Sequence, residues 1–233
     1  MSGTSRVNRC VGSPALCVGV AVALASAGSV AGGAGDSIKC EDVQLRASDA
    51  TAGIMFGQSV AIDEDLIIVG APSGEGAAYI YRYDGADWNE EAKLVGSDTE
   101  ADDLFGASVA ISEDWAIVGA PMSDGGGLFA GAAYLFAYTG GEWTETTVLQ
   151  GNTGDRFGWS VAMDGLCAVV GAFMADGATV DNGEAKVFEL DEGEWSHVQT
   201  LQPSLNQGAW FGYAVSMDAG DSCILVGAPH ADT

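Results

Sequence analysis

The stretch FGQSVAIDEDLIIVGAP, residues 56–72, opens on Phe-Gly, closes on Gly-Ala-Pro and holds three adjacent acids, Asp63, Glu64 and Asp65, between two apolar runs. It returns three times, as FGASVAISEDWAIVGAP from Phe105, FGWSVAMDGLCAVVGAF from Phe157 and FGYAVSMDAGDSCILVGAP from Phe211. The starts lie 49, 52 and 54 residues apart. A period of about 50 is too long for stacked helical pairs and suits a four-stranded propeller blade.

Each unit reads as four strands. SVAI or its equivalent is the first, and a short acidic turn leads to a nearly continuous apolar run such as DLIIVGA, as a strand buried on both faces requires. The third strand alternates aromatics, Tyr79, Tyr81 and Tyr83 in the first unit and Tyr134, Phe136 and Tyr138 in the second, so its two faces differ. A glycine-bearing turn and one Trp (Trp88, Trp143, Trp195) introduce a more polar fourth strand. No window has helical periodicity and the 34 glycines recur at turns, so the chain is all-β, a β-propeller of about four repeats. The repeats are 56–97, 105–150, 157–203 and a partial fourth at 211–233. CEDVQLRASD, residues 40–49, aligns with NEEAKLVGSD and is expected to be a leading outer strand. The strands then number one short of four full blades, which describes either a piece of a longer propeller or an open arc whose last blade is truncated.

Arg6 and Arg9 precede the apolar run ALCVGVAVALASA and a pair of small-residue cleavage signals, so residues 1–31 are expected to be a signal peptide cut after Ala27 or Ala31. The run is shorter than the roughly 20 residues of a membrane span. The expected product is secreted or displayed at the cell surface, with no membrane insertion after leader removal. Net charge is -25, and loss of the leader leaves six basic residues against 33 acidic, or -27. Nucleic acid and anionic lipid would be repelled. Cys40, Cys167 and Cys223 remain, an odd number without the spacing of a zinc site or a dense disulfide framework.

The repeated motifs have a packing explanation. Phe at the head of the inner strand fills the gap between blades, the glycine beside it permits close backbone approach, and Ala-Pro ends pairing because Pro has no N–H to donate. On these four in-register matches the chain resembles the FG-GAP repeats of integrin-α-like β-propellers, and more closely the bacterial secreted kind with a Trp before the outer strand, over residues 40–233. The resemblance implies an extracellular binding or adhesion platform, for a protein or glycan ligand held by inter-strand loops. It also implies calcium in the turn between strands one and two. Here the turns offer only DED, SED, MDG and MDAGD, too few oxygens for an ion that takes six to eight, whereas tight hairpins select such residues anyway. No cofactor and no metal site is expected, calcium-dependent integrin-like adhesion being the alternative that the resemblance keeps open.

Recognition is expected in the loops that vary while the frame does not, MSDGGGLFA after Pro121 and MADGATVDN after Phe173, which carry Asp124, Asp176, Asp181 and Asn182. Only two histidines are present, His197 in an outer strand and His230 three residues from the end, and they assemble no triad or metal cage, so no catalytic residue is expected and the chain reads as a non-enzyme. The second alternative is a structural envelope or matrix component without a specific ligand, self-associating through exposed blade edges.

Overall fold

Runs such as LIIVGA are too apolar to lie at a surface, and each becomes the most deeply buried strand of its sheet. The computed structural model describes residues 44–176, 181–202, 207–220 and 222–231. The first sheet is β1 (Ser59–Asp63), β2 (Leu66–Ala71), β3 (Ala77–Tyr83) and β4 (Trp88–Leu94), antiparallel and paired in chain order. The second repeats it with β5 (Ser108–Ser112), β6 (Trp115–Ala120), β7 (Ala132–Thr139) and β8 (Glu142–Gln150), and the third with β9 (Ser160–Asp164), β10 (Cys167–Ala172), β11 (Glu184–Asp191) and β12 (Glu194–Leu201). β13 (Ala214–Asp218) and β14 (Cys223–Gly227) form a two-stranded fourth. The described residues contain no helix. The inner strands β1, β5, β9 and β13 pack one on the next, which makes the sheets blades of a propeller; β1 and β13 do not pack on each other in this way, and the arc is open.

In each complete blade the fourth strand carries one extra residue, at Glu91, Thr146 and Val198, where the ladder slips by one. Such a bulge bends and twists the outer edge. The leading strand expected at 40–49 differs within its described part. Gln44–Asp49 pair with no strand, and Leu45 and Ala47 pack against the face of the first blade instead. Cys167 is disulfide-bonded, and Cys223 is a free, half-buried thiol.

Every blade has a front face, turned to the blade before it, and a back face, turned to the blade after. Val109 and Ile111 on the front of blade two pack against Leu66, Ile68, Ile80 and Leu94 of blade one. Val161 and Met163 repeat the contact on Ala110, Ile117, Ala133 and Leu135. Phe105 and Phe157, both fully buried, sit in these joints and meet their own third strands edge-on, Phe105 on Tyr134 at 5.2 Å and Phe157 on Phe188 at 6.1 Å.

The two glycines of the repeat meet across the same joint. A Cβ on Gly70 would lie 2.0 Å from the Gly106 carbonyl oxygen, one on Gly119 2.1 Å from that of Gly158, and one on Gly171 2.1 Å from that of Gly212. The Gly of Gly-Ala-Pro is therefore the seat of the following blade's Phe-Gly, and Gly106, Gly158 and Gly212, all at positive φ, reach it with a backbone that side-chain-bearing residues rarely adopt. The inner-strand serine then secures the seated carbonyl: Ser59, Ser108 and Ser160 donate Oγ–H to Gly106, Gly158 and Gly212 at 2.8, 2.7 and 2.8 Å.

The linking segments clamp the outer half of each joint. Ser97 donates its N–H and Oγ–H to Glu145 while Asp98 accepts from Tyr134 Oη at 2.8 Å; Ser48, Glu90, Asp49 and Tyr79 do the same one blade earlier. Burial, followed by the hydrogen bond to Asp98, raises the Tyr134 phenol above its usual range. Lys93 and then Tyr79 hold the Asp49 carboxyl below its ordinary value.

Candidate functional site

Asp63, Glu64 and Asp65 separate in space. Asp63 ends β1 and points across the joint, where its Oδ2 accepts the Glu113 N–H at 2.7 Å. Ser112 and Asp164 stand at the same register and accept the N–H groups of Gly165 at 3.0 Å and Ala219 at 2.6 Å, each in the turn of the following blade. Glu64 takes the left-handed backbone of the hairpin, φ 47°, and Asp65 faces Arg82 at 3.4 Å. The triplet is one joint acceptor, one turn residue and one ion-pair partner.

The end of the blades where Phe-Gly meets Gly-Ala-Pro is built differently. The residue before each Phe-Gly, namely Met55, Leu104, Arg156 and Trp210, has φ between 54° and 60°. A Cβ makes this backbone unfavourable by about 1–2 kcal/mol. The turn holds it through bonds to the same residue's carbonyl, from the N–H of Gln58, Ala107, Trp159 and Tyr213. A second repeated bond ties the residue after the strand-two motif to this turn, from Ser73, Met122, Met174 and His230 to the carbonyls of Ile54, Asp103, Asp155 and Ala209. Three side-chain positions per blade thus crowd onto one end: before Phe-Gly, after Phe-Gly and after Gly-Ala.

Blades one and two fill these positions with Met55, Gln58 and Pro72, and with Leu104, Ala107 and Pro121. At the joint of blades three and four, four of the six are aromatic, Trp159, Phe173, Trp210 and Tyr213, beside Arg156 and Pro229. Phe173 is the buried centre, with ring centroids 4.6 Å from Trp159, 5.3 Å from Trp210 and 5.4 Å from Tyr213. Trp210 stacks nearly parallel to Tyr213 at 6.0 Å and holds the His230 ring at 4.0 Å. Trp159 and Trp210 are half-buried while Tyr213 and His230 are exposed. The result is a supported aromatic ledge at the surface with indole, phenol and imidazole groups along it. Beside it Arg156 donates to Met122 and Met174 sulfurs and lies over the Phe129 ring at 5.2 Å, which fixes the loop of blade two against the ledge.

The sequence-expected loop residues have mainly structural partners. Asp124 accepts the Phe129 N–H at 2.6 Å and so closes its own loop, and Asp176 accepts the Asp181 N–H at 3.0 Å. Asn182 is fully buried and its main-chain carbonyl accepts the Phe211 N–H at 2.9 Å, so it belongs to the joint rather than to a ligand surface. Residues 177–180 of that loop lie outside the described residues. His197 on β12 bonds Thr200 at 2.9 Å, apart from the ledge that His230 joins.

A family model described as FG-GAP repeat matches residues 40–81, 88–136 and 143–188, more than half of the chain. The chain belongs to the FG-GAP repeat family. Each matched FG-GAP segment runs from one blade's outer strand, or the segment leading into blade one, through the first three strands of the next, so the sequence unit straddles the joints. No curated protein sequence matches the chain. Among solved structures it is similar to Sqt1 of Saccharomyces cerevisiae, with TM-score 0.42 and 11% identity over 64% of this chain and 36% of Sqt1, so it spans about a third of that protein. It is also similar to the computationally designed Ika4 protein, with TM-score 0.48 and 15% identity over 82% of this chain and 94% of Ika4. The calcium that the FG-GAP resemblance implies does not fit the residues present. Asp63, Asp65 and Asp164 are turned to separate protein partners, and among the described residues no three His, Cys, Asp or Glu side chains converge.

Proposed function

We propose that this FG-GAP propeller is an exported, non-catalytic binding platform whose ligand is a neutral glycan laid on the Trp159–Tyr213 ledge. The observation that carries the proposal is the replacement, at one joint only, of Met55 and Leu104 by Trp210, of Gln58 and Ala107 by Trp159 and Tyr213, and of Pro72 and Pro121 by Phe173. Their rings are braced against one another and two are half-buried, so the ledge is pre-formed and little ordering accompanies binding. Aromatic faces offer apolar area to the C–H face of a sugar ring, and their polar edges reach its hydroxyls. The large excess of acidic over basic residues, 33 against 8 in the full chain, repels sulfated and uronate polymers, which selects neutral ones.

Affinity electrophoresis through gels holding neutral or acidic polysaccharides tests this. Retardation is expected in a neutral gel, with affinity falling by roughly 30-fold or more in Trp159→Ala, as for other aromatic anchors. Equal mobility of wild type and Trp159→Ala in every gel would refute the assignment.

A further inference from the structure

The joint between blades two and three departs from the repeat in its outer half. In front of blade two a linker dipeptide fills this place, Ser97 on Glu145 and Asp98 on Tyr134, as Ser48 and Asp49 do on Glu90 and Tyr79 in front of blade one. Phe56 follows Ala47, and Phe105 follows Gly96, by nine residues, whereas Phe157 follows Gly151 by six. The shortened linker turns back on itself, the Asn152 main-chain N–H and its Nδ2 both donating to Asp155 Oδ2 at 2.9 Å. The blade has changed with the linker. Lys186 stands where Tyr79 and Tyr134 stand, His197 replaces Glu90 and Glu145, and Glu184 replaces Ala77 and Ala132.

A cleft of about 510 Å³ lies where the clamp would be, between Gln150 and Asn152 of blade two and the front of blade three. Small-molecule sites have roughly this volume. The blade-three wall is a held network: buried Glu184 accepts from Lys186 Nζ at 3.0 Å with one oxygen and from Gln202 Nε2 at 2.6 Å with the other. Lys186 lies over the Phe157 ring at 5.5 Å, and His197 meets Phe188 edge-on at 5.6 Å with its Nε2 2.9 Å from Thr200 Oγ1. An ammonium has three donors and a carboxylate about four acceptor sites, so both groups can serve a ligand without leaving each other. The ammonium opposes a cation, while Glu184 and the acidic surface oppose an anion. A hydroxyl donates and accepts at once, and its bonds to charged groups are the strong ones. The Gln150 and Gln202 amides add further donors and acceptors, and Phe188 adds apolar area. We infer that this cleft is a second sugar site, which holds a neutral ring between two blades. Glu184 pairs with Ala172, the residue before Phe173, so cleft and ledge belong to the same end of blade three. The ligand class follows from the cleft's own residues and stands even if the ledge binds nothing.

Saturation-transfer difference NMR on the full chain carrying Trp159→Ala reads the cleft without the ledge. The probes are maltose, cellobiose, lactose, xylobiose, mannobiose and diacetylchitobiose, with glucuronate and glucosamine as charged controls. Transfer to at least one neutral disaccharide is expected, and weaker transfer to both controls. Glu184→Ala, Lys186→Tyr and His197→Glu together install the blade-two set Ala132, Tyr134 and Glu145, which that fold accommodates, and should lower affinity about tenfold or more. Gln150→Ala alters the exposed opposite wall, so it should weaken binding several-fold while circular dichroism and melting temperature match the parent chain. No transfer to any neutral disaccharide, stronger transfer to a charged control, or an affinity that Gln150→Ala leaves unchanged would overturn the inference. Gel retardation lost in Trp159→Ala reports on the ledge alone, so either site can fail without the other.

Discussion

Replacing Gly119 by Ala isolates the energetics of a blade joint, because Gly227 at the same place in the fourth repeat supplies an internal control. Neither glycine has a positive φ, so alanine is compatible with both backbones and differs only in what its methyl meets. At Gly119 the methyl would lie 2.1 Å from the Gly158 carbonyl oxygen and 2.2 Å from Ser108 Oγ, well inside contact distance, and both atoms belong to the joint. Blade three must move outward, or Ser108 must rotate away and abandon its 2.7 Å bond to the same carbonyl. Overpacking costs about 1–3 kcal/mol and the lost hydrogen bond about 1 kcal/mol, so a destabilisation of about 3 kcal/mol is expected. For a chain of this size that lowers Tm by roughly 6–12 °C. At Gly227 the nearest atom is 3.5 Å away, and the reduced freedom of the unfolded chain makes alanine neutral or stabilising by up to about 1 kcal/mol. Melting both variants by near-ultraviolet circular dichroism provides the comparison. Equal Tm values for Gly119→Ala and Gly227→Ala would refute the seat-and-plug account.

Asp63→Ala removes the acceptor of the Glu113 N–H and should lower stability by about 1 kcal/mol, with Tm identical in calcium and in chelator for both wild type and variant; a calcium-dependent rise in wild-type Tm would restore a metal role. Burial opposes ionisation of Glu91, but hydrogen bonds from Arg82 and Trp143 outweigh it and bring its carboxyl below the ordinary 4.5. A lowered carboxyl contributes stability that is present above pH 4.5 and is lost as pH falls through the folded-state value. The Tm difference between wild type and Glu91→Gln should therefore shrink below about pH 4, as scanning calorimetry across pH would reveal. The phenols of Tyr79, Tyr81 and Tyr134 are all raised, so alkaline unfolding should set in above pH 10 together with tyrosinate absorbance. Ionisation of all six tyrosines near pH 10 without loss of structure would contradict that burial.

The frame was legible because it is periodic. Phe-Gly, Gly-Ala-Pro and the alternating aromatics recur about every 50 residues, and each recurrence confirms the last. What a single unit hides is its neighbour. Asp63 looks like a metal ligand or a turn former within residues 56–72, while its actual partner, Glu113, lies 50 residues on and is visible only once blades are stacked in register. Gly70 likewise reads as a strand end until Gly106 is placed against it. The aromatic ledge left a signal of the opposite sort, a break in the repeat: Trp159 where Gln58 and Ala107 stand, and Phe173 where Pro72 and Pro121 stand. Loop length pointed instead to Asp124, Asp176, Asp181 and Asn182, because carboxylates that hold their own loop together cannot be told by composition from carboxylates that hold a ligand. Alignment with the other outer strands makes 40–49 a leading strand, but its described part, Gln44–Asp49, pairs with no strand and packs Leu45 and Ala47 on the face of blade one.

The joints bear on how such a chain grows. Seat and plug are a glycine Cα and a peptide carbonyl, and the turn clasp ends on a main-chain N–H, so each joint is specified by the same few repeated residues, the two glycines, the serine and the turn acceptor. A duplicated gene segment one repeat long arrives already compatible with the copy before it and the copy after it, with no compensating substitution in either. Copies are then free to diverge at the end-face positions, where Met55, Leu104, Arg156 and Trp210 share one strained backbone and nothing else. Under that arrangement a change at the end face leaves the joint contacts as they are, so the two parts of a repeat can vary independently.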